Sequence, residues 1–219
     1  MFTIKRICII LLLRMLYIND HLKDISERQV EKAISFLPEW RREQALKFKH
    51  LEGRMDCALA YLELCRGLQL EYNITEKPLF DYDKNQKPAL RDYPHIFFSL
   101  SHCKKALGCF LSKAPCGLDI EAIRPAKEFL VRYCMNEEEC QQIFSSPNPD
   151  AEFISLWTKK EAVFKLQGTG INDNIKEILS PENCKDISIV TIPNLYRGYI
   201  ISVAQYNTDI TNTKIQLWK

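Results

Sequence analysis

The sequence has almost no excess charge: 30 basic side chains stand against 28 acidic ones, a formal +2 over 219 residues. General nucleic-acid binding needs a strongly basic face, so that class is set aside and any charge recognition is local. No membrane-length apolar run is found at the N-terminus either. Residues 7–13 follow Lys5 and Arg6 in the manner of a short signal, but Arg14 interrupts them, well short of the roughly 20 residues of a span. No small-residue cleavage site follows, which makes this a poor secretory signal. The segment reads as a buried strand or a dispensable extension, residues 1–14, upstream of a true start at Met15. C-x-x-C pairs are also missing, although there are nine cysteines. That removes the usual zinc and dithiol motifs, and the odd number at irregular spacings reads as reduced, mostly buried thiols of a cytoplasmic protein. Low-complexity tracts and short-period repeats are absent.

What is present suits a sizeable core: 46% hydrophobic and 11% aromatic residues. Met15 opens a strand-like M-L-Y-I-N-D. Ser26 caps a helical pattern reaching Leu37, Pro38 starts another, and apolar residues recurring at three and four predict a long helix over 51–70, with Gly67 permitting a stop. Residues 79–92 are polar and turn-rich. Strands at 95–101 and 106–111 form a hairpin with 102–105 as its turn. After Pro115 a strand carries G-L-D-I-E (117–121), followed by helices over 125–134, 136–144 and 149–167, the last closed by Gly168. Strands follow at 187–192, 198–204 and 213–218. The plan is α+β, two similar lobes each with an antiparallel sheet packed against helices, a pseudo-dimer: an N-terminal lobe at 1–115 and a C-terminal lobe at 116–219.

Two segments carry chemistry. Asp119 and Glu121 are two apart in a β-favouring stretch, so both face one side of a strand. Such alternation is often only a solvated face, but Leu118 and Ile120 fill the other side and Gly117 admits close approach by a ligand or another backbone. Paired carboxylates repel unless a cation compensates, which suits Mg²⁺. Trp157, Glu161 and Lys165 are successive fourth residues on one helical stripe, adding a third acid and a phosphate-seeking cation. The bland alternative is an exposed Glu161–Lys165 ion pair. Arg41, Arg42, Lys47, Lys49 and Arg54 form either a solvated face or a phosphate clamp. His102 with Ser101 is either surface or a phosphate donor.

Together S-L-S-H-C (99–103), G-L-D-I-E-A-I-R (117–124) and W-T-K-K-E-A-V-F-K-L-Q-G-T-G (157–170) resemble the signatures of the phosphopantetheinyl transferase superfamily, in particular its monomeric two-lobed, surfactin-synthetase-activating branch. P-E-W-R-R-E (38–43), K-F-K-H-L-E-G-R (47–54) and Q-K-P (86–88) resemble its N-lobe landmarks. The resemblance implies transfer of the 4'-phosphopantetheine arm of coenzyme A to a serine of an apo acyl or peptidyl carrier protein, releasing adenosine 3',5'-bisphosphate. It implies Mg²⁺ held by Asp119, Glu121 and Glu161, with Glu161 as base and Lys165 and His102 on the diphosphate. Lys87, Ser101 and Arg54 then hold coenzyme A phosphates, Lys160 is a supporting member of the same site, and no nucleic acid or membrane is a partner. Ser99 replaces the family's usual Asn and Gln86 its usual Gly. The competing readings are a catalytically inactive carrier-protein or coenzyme A binding module, and a metal-dependent hydrolase of coenzyme A-type diphosphates.

Overall fold

Capping chemistry sets the helix boundaries. In a computed structural model that describes residues 15–206 and 214–217, strand β1 (Met15–Asn19) precedes helices α1 (Glu27–Ser35), α2 (Glu39–Leu46) and α3 (Leu51–Tyr72). A small hairpin, β2 (Phe80–Tyr82) and β3 (Pro88–Leu90), leads to strands β4 (Phe97–His102), β5 (Leu107–Ser112) and β6 (Cys116–Ala122). Helices α4 (Glu128–Cys134), α5 (Glu137–Ser145) and α6 (Pro149–Gln167) follow, then strands β7 (Ile187–Asn194), β8 (Tyr199–Tyr206) and β9 (Lys214–Leu217). Ser26 and Gln29 form a capping box before α1, as Asn136 and Glu139 do before α5. Proline in the first turn and left-handed Gly168 (φ 67°) bound α6 where the sequence places it. The apolar run at 7–13, Cys8 and both ends of the last expected strand, 213 and 218, lie outside the described residues.

Three details differ from expectation. Gly67 does not end α3, which continues to Tyr72 and closes on left-handed Asn73 (φ 55°). A Cβ at Gly67 would lie 2.5 Å from Leu111 Cδ1, so this glycine serves close helix-on-sheet packing instead. The turn-rich stretch 79–92 contains the three-residue strands β2 and β3, too short to show a period-two pattern. Finally, β9 leaves the second half of the chain and pairs parallel with β1, covering an edge that β1 would otherwise expose.

One sheet therefore runs β4-β5-β1-β9 and the other β6-β8-β7, with the remaining pairings antiparallel. Strands β5 and β8 are buried on both faces. Tyr17, Cys109 and Leu111 face α3 through Leu64 and Leu68, whereas Leu16, Ile18 and Phe110 meet Leu118, Ile120, Ile201 and Val203 of the second sheet. The far side of that sheet, at Ile200 and Ala204, packs on Phe153, Val163 and Phe164 of α6. The order is helices, sheet, sheet, helices. The eight described cysteines are free thiols, and no described helix is long and apolar enough to cross a membrane.

Candidate active site

The site forms where α6 crosses β6. Asp119 and Glu121 lie opposite Ser202 and Ile200 of β8, on the side of the sheet that faces the helix. Gly117, two residues earlier on this side, has no room for a side chain: a Cβ would strike the Ala162 carbonyl and come within 2.6 Å of the Leu166 amide. The close backbone approach foreseen at this glycine is that of α6. It carries Glu161 and Lys165, the neighbours of Ala162 and Leu166, onto the strand's two acids.

Asp119 is only 4% exposed, so the pattern of alternating acids is not a solvated face. Its Oδ1 accepts from Lys165 Nζ at 2.7 Å and from Ser101 Oγ at 2.9 Å. Lys165 thus bridges to the buried strand carboxylate across 46 residues of sequence, where the ion pair gains most from low dielectric. Asp119 Oδ2 is buried with no hydrogen-bond partner. Burial and then the charge of Asp119 push the Glu161 carboxyl up to about 6, with Glu121 adding to the rise and Lys165 opposing it. The same two causes raise Glu121, against Arg124 and Lys165. Each acid makes the next harder to ionise.

A hard divalent cation would offset this repulsion. Among the described residues no three acid, histidine or cysteine side chains converge tightly enough to cage an ion by themselves. Mg²⁺ does not require that, because it usually keeps several waters and takes phosphate oxygens alongside one or two carboxylates. The orphaned Oδ2 and the two raised carboxyls fit such an ion, with Asp119, Glu121 and Glu161 as the groups that could hold it.

Beside the acids opens a cavity of about 260 Å³ lined by Lys87, Phe98, Leu100, Glu161, Lys165 and Ile171. Lys87 Nζ donates to the Leu166 carbonyl at 2.9 Å and its ammonium is pulled below the ordinary lysine range, chiefly by burial. His102, the last residue of β4 rather than a turn residue, is half exposed and holds Asp56 through Nδ1 at 3.2 Å. Arg54 Nε donates to the Phe48 carbonyl at 2.8 Å. Lys160 is not brought to the acids. It is fully buried and its ammonium is spent on Glu139 (2.7 Å) and on the Ile175 and Lys176 carbonyls (2.7 and 3.1 Å). The coenzyme A contact implied for it by resemblance has no donor left to make it. Asp56 escaped the sequence reading, since nothing local connects it with a histidine 46 positions later.

Residues 115–204 match the model of the 4'-phosphopantetheinyl transferase superfamily. The matched segment carries Asp119, Glu121, Glu161 and Lys165. The chain is 29% identical over 150 residues to 4'-phosphopantetheinyl transferase psf-1 of Bacillus pumilus, covering 67% of this chain and 64% of that one. It is 23% identical over 153 residues to Sfp of Bacillus subtilis, covering 68% of each, and 32% identical over 100 residues to HetI of a Nostoc species, covering 42% of each. The matched stretch spans just under two thirds of psf-1 and about two thirds of Sfp.

Proposed function

We propose that the chain transfers the 4'-phosphopantetheine arm of coenzyme A to a serine hydroxyl of an apo acyl or peptidyl carrier protein and releases adenosine 3',5'-bisphosphate. The observation that supports it most is the buried Asp119–Lys165 pair with Glu161 raised to about 6 beside a cavity. Buried charge on a catalytic scale at one strand–helix crossing is hard to explain as packing alone.

In this reading the carrier serine Oγ forms a bond to the pantetheine-side phosphorus, and the bond from that phosphorus to the bridging oxygen breaks, so the bisphosphate leaves with that oxygen. Glu161 takes the hydroxyl proton directly or through a water, because a carboxyl near 6 is ionised yet basic at neutral pH. Lys165 pairs with Asp119 and presents positive charge to the diphosphate. Lys87 closes one wall of the cavity, with His102 and Arg54 available to phosphate from the N-terminal half. Asp119, Glu121 and Glu161 would hold Mg²⁺, which when bound would supply charge neutralisation of the transferring phosphoryl group. The reading includes a division into lobes at 1–115 and 116–219, action as a monomer and a cytoplasmic setting, the last consistent with eight free thiols.

Incubation with Mg²⁺, coenzyme A and apo carrier proteins tests it, the expected result being a carrier mass increase of one phosphopantetheine arm. Bisphosphate release without a carrier would instead identify a hydrolase, and binding without release an inactive module. Glu161→Gln is expected to lower turnover by about 10²-fold or more, and near-normal turnover would refute its role as base.

A further inference from the structure

Two sheet edges meet at the site without a backbone ladder between them. β4 and β6 belong to different sheets, yet Ser99 Oγ accepts the Leu118 N–H at 2.9 Å and Ser101 Oγ accepts the Ile120 N–H at 3.1 Å. Two hydroxyls at i and i+2 of one edge thus satisfy two amides at i and i+2 of the other, and both serines are buried. They differ in what else they do. Ser101 Oγ also donates to Asp119 Oδ1 at 2.9 Å and accepts from Lys165 Nζ at 3.0 Å. A hydroxyl has one proton and two acceptor lone pairs, so all three of its capacities are used inside the protein.

We propose that Ser101 is a positioning residue: it fixes the Asp119 carboxylate, with Lys165, so that Oδ1 is held internally and Oδ2 alone is offered to a divalent cation. The proposal rests on the cation-binding part of the reading above. The test below separates this role from the coenzyme A phosphate contact that resemblance implies for Ser101. Ser99 supplies the comparison, since it makes the same strand-to-strand link without touching Asp119 or Lys165.

The test uses Mn²⁺ as probe, with free Mn²⁺ followed by electron paramagnetic resonance on the full chain carrying Ser99→Ala, Ser101→Ala, Ser101→Cys or Ser101→Thr. Ser101→Ala and Ser101→Cys are expected to weaken Mn²⁺ binding about tenfold, as loss of a group that orients a metal ligand does. Ser101→Thr, which keeps the hydroxyl, is expected to restore it. Ser99→Ala is expected to lower the thermal midpoint with Mn²⁺ affinity at the wild-type value. If Ser101→Ala fails to fold, the near-isosteric Ser101→Cys gives the same readout. Unchanged Mn²⁺ affinity in both, or a rise confined to the coenzyme A KM, overturns the proposal, as does absence of Mn²⁺ binding in the wild type. Mn²⁺ binding weakened as expected in a protein that transfers no phosphopantetheine sinks the transferase reading and leaves this one standing.

Discussion

Lys160→Met separates a structural lysine from a ligand-binding one. Lys160 is fully buried, and its ammonium satisfies the Glu139 carboxylate and two carbonyls that end the segment after α6. Removing it leaves Glu139, on a side chain only 10% exposed, as an uncompensated charge. Breaking one partner out of a buried pair costs about 3–5 kcal/mol. For a protein of this size that corresponds to a fall of roughly 6–20 °C in the thermal midpoint. Glu139 also accepts the Asn136 amide in its capping box, a bond that a glutamine oxygen can keep. Lys160→Met with Glu139→Gln is therefore expected to recover about 1–3 kcal/mol of the loss, because the stranded charge is gone while the cap remains. Urea unfolding followed by circular dichroism measures both, and the coenzyme A KM of the folded fraction is expected to be unchanged. A single variant within about 1 kcal/mol of wild type, with a raised coenzyme A KM, would show the reasoning wrong.

Glu161 binds its proton more tightly folded, at about 6, than at the ordinary 4.5. In the cation-free protein its contribution to stability is thus fully present below about pH 4.5 and lost as pH rises through 6, by on the order of 1 kcal/mol after allowing for its partial exposure. A cation binds the ionised form, so MgCl₂ is expected to raise the thermal midpoint more at about pH 7.5 than at about pH 5.5, and an equal rise at both would count against Glu161 as a ligand. Gly117→Ala places a methyl against the Ala162 carbonyl; a loss of about 3 kcal/mol or more in urea unfolding is expected, with less than about 1 kcal/mol contradicting the close α6–β6 crossing.

Local signals were legible where a single residue type decides the backbone. Asn136 and Gly168 announce their helix ends because capping and left-handed geometry are short-range. The two acids of β6 and the stripe on α6 were likewise readable, since strand and helix periods alone place them on single faces. Gly67 misled for the opposite reason: glycine also serves close packing, and only Tyr17 and Leu111 from other elements distinguish that use from a helix stop. The Ser99–Leu118 and Ser101–Ile120 links, the Asp56–His102 pair and the return of β9 to β1 all depend on tertiary proximity. No periodicity within one segment encodes them.

The charge balance explains why the site sits at this crossing. Three carboxylates, Asp119, Glu121 and Glu161, face one ammonium, Lys165, which forms its ion pair with Asp119. Arg124 also opposes the rise of Glu121. Burial first, and then negative charge from Asp119 that Lys165 only partly offsets, raises Glu121 and Glu161. Such an arrangement destabilises a cation-free fold, so the surrounding packing has to hold the acids in place against their repulsion. Gly117 does so by letting α6 lie directly on β6, and the β4 serines do so by tying off the open edge of the same strand. The residues that lock the strand are thus the ones that keep the acids together, and a change loosening either contact is expected to let Glu161 move from Asp119 and return toward an ordinary carboxylate.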